Sequence, residues 1–141
     1  MNDWIEILPT PLDICKANEF VVVPNAGGIC IFSGNTRAET SADGRELIAL
    51  DYEAYADMAI RQLNELAGRT RQRWPVLKLA ILHRVGRLAV GEPSVVIAVS
   101  TGHRKEAFEA CRFVIDELKR DVAIWKKEVW ASGDATWVNA L

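Results

Sequence analysis

Apolar residues along this chain recur in short stretches with the two-residue period of a strand, and in two long segments with the 3.6-residue period of a helix. Residues 4–8 alternate and are rich in β-formers, predicting a first strand. Thr10 and Pro11 follow as a cap and first-turn pair, predicting a short helix through about Asn18. Gly27 and Gly28 lead into a strand over 29–32 that Ser33, Gly34 and Asn35 end. Residues 35–45 are polar, carry the turn pair Asp43 and Gly44, and read as a mobile loop ahead of a strand over 47–52. Residues 54–73 form the first long helical segment, with Met58, Leu63, Leu66 and Ala67 inward, and Trp74 with Pro75 stops it.

A strongly apolar strand is predicted over 76–83, with Lys78 the exception, and Gly86, Gly91 and Pro93 punctuate the connection to the next, over 94–100. That second run is apolar on both faces and so belongs at the centre of a sheet covered on both sides. The second long helix, 103–120, carries an apolar stripe at 107, 108, 111, 114, 115 and 118. Residues 124–130 read as a late strand and Trp137 with Val138 as a terminal fragment. Strands followed by helices twice over, with hairpin-like pieces around them, predict an α+β sandwich. The 141 residues make one domain, 1–141, without linker or repeat.

Composition narrows the function. Half the residues are hydrophobic and 26% are charged, a globular balance with a net charge of −2, which argues against an overall basic nucleic-acid binder. No apolar run has the length of a membrane span and the N-terminus has no signal pattern, so the expected location is the cytoplasm. The charge is uneven. Residues 1–65 hold 4 basic and 11 acidic side chains, whereas residues 66–141 hold 13 basic and 8 acidic ones. Between Gly68 and Gly91 lie Arg69, Arg71, Arg73, Lys78, Arg84, Arg87 and His83 without one acid, predicting a face that attracts anions.

Chemistry concentrates at the second long helix. Ser100, Thr101 and Gly102 pass straight into His103 and Arg104, where free backbone N–H groups, an imidazole and a guanidinium could receive a phosphate or carboxylate. Arg104 falls near the middle of the stripe that includes Cys111, Ile115 and Leu118, so it should reach a partner anion or a cleft. Lys119 sits at the edge of that stripe. Lys126 lies seven residues on and, in a strand, points with Ile124 and Glu128, while Lys127 points with Trp125 and Val129. A lysine half-buried among cations has a lowered pKa and suits general acid/base work. Two histidines and three widely spaced cysteines, Cys15, Cys30 and Cys111, indicate no metal site and no disulfide framework. Each cysteine sits among apolar residues and reads as core. No phosphate-binding loop or dinucleotide fingerprint is present, and no cofactor is implied.

The ordered set of these segments resembles the large, catalytic subunit of molybdopterin synthase over almost the whole chain. The resemblance rests on residues 5–13, 32–37, 50–55 and 73–75, then on 83–86, 99–104 with Ala107 and Phe108, Leu118 with Lys119, and 124–128. It implies an α/β hammerhead-type fold with an additional antiparallel β subdomain. It also implies a sulfurtransferase that converts cyclic pyranopterin monophosphate into molybdopterin. The sulfur would arrive as a thiocarboxylate on the C-terminal Gly-Gly of a small ubiquitin-like subunit, in a heterotetramer built on a homodimer of large subunits. By motif, Lys119 and Lys126 match the catalytic lysines, and Arg37, His103 and Arg104 match residues lining the pterin pocket. Family members often run past the equivalent of Trp137 and Val138 with a cation that reaches the neighbouring subunit's site, a place Arg84 or Arg87 could fill here. The alternative is a non-catalytic module gripping an acidic protein tail or nucleic-acid backbone, with Trp74, Trp125 and Trp130 as stacking platforms.

Overall fold

In the computed structural model, which describes residues 2–138, the chain runs β1 (Asp3–Leu8), α1 (Ile14–Val21), β2 (Gly28–Asn35), β3 (Leu47–Ala54) and α2 (Ala56–Arg73). It continues through β4 (Val76–Arg84), β5 (Gly86–Ala89), β6 (Pro93–Thr101), α3 (Arg104–Asp121), β7 (Ile124–Trp130) and β8 (Ala135–Val138). The described residues form two four-stranded sheets. The first has the order β1-β4-β6-β2, with β1 parallel to β4 and its other pairs antiparallel. The second, β5-β3-β7-β8, is antiparallel throughout. This is the α+β class with an antiparallel subdomain.

The central strand β6 explains the doubly apolar run. Val95, Ile97 and Val99 face the cluster that α2 and α3 cover, while Val96 and Ala98 face α1. Alternate side chains thus enter two different cores, so neither face could be polar. Leu79, Ile81 and Ile97 are fully buried, and each such side chain removed from water contributes roughly 2 kcal/mol. A third core, with Leu50, Tyr52, Leu88 and Trp130, lies under the second sheet.

Local expectations needed four changes. The first helix starts at Ile14 rather than after Thr10, because the Asp13 carboxylate accepts the Lys16 N–H at 3.1 Å and caps it. The connection between β4 and β6 contains a further strand, β5, paired with β3. Met58 and Phe108 are exposed, not inward. The buried face of α3 centres on Ala107, Cys111, Val114 and Leu118, and Phe108 lies beyond its margin at 63% exposure. Cys15 is exposed as well, since α1 buries Ala17 and Val21 on its other side. No helix among the described residues is long and apolar enough to cross a membrane.

Candidate active site

Strand register brings the site together. On the first sheet, Gly34 of β2 pairs with Val95 of β6, and Val95 pairs with His83 of β4. On the second, Tyr52 of β3 pairs with Lys126 of β7, and Leu50 with Glu128. Residues two apart on a strand share a face, so Lys126 and Glu128 project together beside Tyr52 and Leu50. The last turns of α3 close the gap with Ile115, Leu118 and Lys119. These groups line a cavity of about 400 Å³, completed by Arg37 and Glu39 from the segment after β2. The parity read from the sequence holds: Lys127 is on the other face, with its Nζ 4.7 Å from the Trp137 ring centre.

Arg37, Lys119 and Lys126 therefore meet in one hollow. Lys119 stands in the last turn of α3, where the negative end of the helix dipole favours a cation. Lys126 is half-buried. Desolvation, then the charge of Lys119, lower its pKa, with Arg37 adding to the effect, while Glu128 and Glu39 oppose it. No salt bridge to Arg37, Lys119 or Lys126 forms among the described residues, which leaves all three available to an anion.

The cavity wall also contains groups that sequence reasoning did not single out as site residues. His83 is fully buried, its Nδ1 lies 2.8 Å from the Arg84 carbonyl oxygen, and its ring meets Tyr52 edge-on at 5.1 Å. A carbonyl only accepts, so Nδ1 carries the proton of the neutral ring. Burial pushes the imidazole pKa down to about 4, and burial likewise raises that of Tyr52. The sequence signal for His83 was its place in an otherwise apolar strand, obscured by the arginines around it.

Four of the five arginines between Gly68 and Gly91 are engaged by acids rather than forming the anion-attracting face expected there, and the fifth, Arg73, lies over the Trp74 and Phe113 rings. Arg71 pairs with Asp3 at 2.6 Å, Arg84 with Glu92 at 2.6 Å, Arg87 with Asp51 at 3.1 Å and Arg69 with Glu117 at 3.3 Å. Asp3, Asp51 and Glu117 come from distant parts of the chain, where a charge count over this stretch could not see them, and Glu92 lies just past its end. Arg84 and Arg87 are thereby engaged elsewhere. Of the three proposed stacking platforms, Trp130 is only 5% exposed and packs in the third core, which removes it from any stacking surface.

His103 and Arg104 lie apart from this cavity. They stand at the start of α3, both exposed, and 15 residues of helix put Arg104 about 22 Å from Lys119. The pterin-pocket residues His103 and Arg104 and the catalytic lysines implied by the resemblance therefore do not meet within one chain. The Arg104 side chain is exposed, while its backbone rests directly on β2: a methyl group on Gly28 would come within 2.7 Å of the Arg104 Cα. Cys111 is buried beside half-buried Cys30, and burial raises its thiol pKa, which suits core rather than nucleophile.

Comparison with known proteins agrees with this architecture. The family model described as MoaE protein matches residues 7–121. The molybdopterin synthase catalytic subunit of Arabidopsis thaliana is 46% identical over 135 residues, covering 94% of this chain and 67% of that protein. The crystal structure of molybdopterin synthase from Staphylococcus aureus superimposes with a TM-score of 0.89 at 33% identity, covering 95% of this chain and 96% of that one. A complex of subunits 1 and 2 of molybdopterin-converting factor from Helicobacter pylori shares the fold, with a TM-score of 0.79 at 22% identity over 96% of this chain and 90% of that one. The hammerhead-type α+β fold expected from the sequence is the fold observed, and the chain belongs to the MoaE protein family, that of the molybdopterin synthase catalytic subunits.

Proposed function

We propose that this chain is the catalytic subunit of a molybdopterin synthase. It takes sulfur from the thiocarboxylated C-terminal glycine of a small ubiquitin-like subunit and builds the dithiolene of molybdopterin on cyclic pyranopterin monophosphate. The observation that carries this reading is the convergence of Arg37, Lys119 and Lys126 on a single cavity. Three cations facing two carboxylates, Glu39 and Glu128, leave net positive charge for a phosphorylated substrate. The Arg37 fork suits the phosphate. The thiocarboxylate brings its own nucleophilic sulfur, so the site requires no protein thiol. It requires a proton donor and acceptor and charge to stabilise the developing anion.

Lys119 takes the acid/base role nearest the sulfur, and Lys126 orients the substrate. Phe32, Val95, Ile115 and Leu118 give the cavity an apolar wall, along which an extended glycine tail passes without side chains to block it. His103 and Arg104 join the site from a second copy of the chain. A homodimer of large subunits, each with one small subunit, supplies the pterin pocket with the cations that one chain holds about 22 Å away.

The reading is tested by mixing the chain with the thiocarboxylated small subunit and the cyclic pterin, and following dithiolene product. Lys119→Ala should cut turnover by about 100-fold or more, the range of a lost general acid/base. Arg104→Ala should weaken substrate binding, and mixing the two variants should restore part of the activity in hybrid dimers. Wild-type conversion by Lys119→Ala would sink the catalytic assignment. Absence of any restoration would sink the shared site.

A further inference from the structure

We propose that Glu92 is a positioning residue for Arg37, tying the segment that carries this arginine to the β5–β6 turn and so holding the guanidinium ready for the substrate phosphate. This rests on the reading of Arg37 given above. β2 ends at Asn35, and residues 36–39 have no strand partner before the isolated Thr40–Glu46 bridge. An exposed arginine on such a segment would otherwise have to be ordered at each binding event, at an entropic cost.

The segment is held at both ends. At its far end the Leu47 N–H donates to the Glu39 carbonyl at 2.8 Å. At its near end, buried Thr36 exchanges two backbone hydrogen bonds with the turn: its N–H donates to the Glu92 carbonyl at 3.0 Å, and its own carbonyl accepts from the Gly91 N–H at 2.7 Å. The Asn35 amide adds a third, donating to the Gly91 carbonyl at 3.1 Å. Arg37 is the next residue along.

The Glu92 carboxylate holds that turn in shape. One oxygen accepts the Ala89 N–H at 2.8 Å, across a turn that also has the Glu92 N–H donating to the Ala89 carbonyl at 3.1 Å. The other accepts from Arg84 at 2.6 Å, at the end of β4 next to His83. Gly91 adopts φ +94° within the turn, a left-handed conformation that other residues resist. The Ala89 N–H, then Arg84, hold the Glu92 carboxyl below its ordinary range, so it stays ionised at neutral pH. Glu92 thus joins β4 and β5 through its side chain, and the start of the Arg37 segment through its backbone carbonyl.

The experiment is a double-mutant cycle on the assembled synthase, reading KM for the pterin and kcat separately. Glu92→Ala should raise KM by up to about tenfold, the worth of one charge-assisted hydrogen bond, with kcat within about twofold of wild type, as expected for a loss of binding shared by ground and transition states. Glu92→Gln keeps an acceptor for the Ala89 N–H and should give a smaller rise. In an Arg37→Ala background neither change should raise KM further. Should Glu92→Ala fail to fold, Glu92→Gln carries the cycle. A KM increase that is undiminished in the Arg37→Ala background, or a fall in kcat with KM unchanged, overturns the proposal alone. An unchanged KM in Arg37→Ala itself overturns it together with the place given to Arg37 in the substrate site.

Discussion

Acid should weaken this fold through His83, by an amount set by where the ring lies. The buried imidazole stays neutral down to about pH 4, against 6.5 for an ordinary histidine. Above pH 6.5 folded and unfolded chains are both neutral at this position, and stability does not depend on it. As pH falls from 6.5 towards 4 the unfolded chain binds a proton that the folded chain refuses, so stability drops. At 1.36 kcal/mol per unit, a gap of this size amounts to about 3 kcal/mol, levelling off below pH 4. For a domain of this length that is roughly a 10 °C shift in Tm. Urea unfolding followed by tryptophan fluorescence between pH 7.5 and 4 would measure it, in the wild type and in His83→Gln. Glutamine keeps an uncharged N–H for the Arg84 carbonyl and cannot titrate. The wild type should lose stability relative to the variant as pH falls below 6.5. The carboxyls of Asp43, Glu92 and Glu117 are held low in both proteins, so their losses at more acid pH cancel in the difference. Parallel pH dependences for the two proteins would refute the argument.

Two further outcomes follow from single contacts. Glu128→Gln removes an anion that supports the charged form of Lys126, so the lysine should titrate at still lower pH in an NMR titration of its Nζ, and movement to higher pH would contradict the assigned cause. Gly28→Ala places a methyl 2.7 Å from the Arg104 Cα and 2.8 Å from its nitrogen. Since neither backbone atom can swing aside as a side chain would, the change should cost about 1–3 kcal/mol, visible as a lowered Tm by calorimetry. An unaltered Tm would show that β2 and the start of α3 yield freely.

What could be read from the chain itself was whatever repeats over a few residues. The period of the apolar positions located α2, α3, β4, β6 and β7, and the two-sided apolarity of residues 94–100 marked β6 as a covered central strand. The same local logic put Lys119 on the edge of the α3 stripe, and placed Lys126 with Glu128 on one face of β7 and Lys127 on the other. Family resemblance over the ordered motifs added Arg37, which no periodicity distinguishes.

Tertiary structure decided everything that depends on who sits beside whom. His83 joins the site because β4 and β6 pair in one register, and Lys126 faces the same cavity because β7 pairs with β3 so that it lies beside Tyr52. Four of the five arginines between Gly68 and Gly91 lost their apparent role to Asp3, Asp51, Glu92 and Glu117, which pairing and packing bring to them. A stripe calculated by rotation placed Arg104 and Lys119 on neighbouring faces but left out their separation along the axis. Helix rise then puts them at opposite ends of α3. Periodicity is local and survives in one dimension, as does rise along a helix, whereas strand register and most of the ion pairing are set by contacts between residues far apart in the chain.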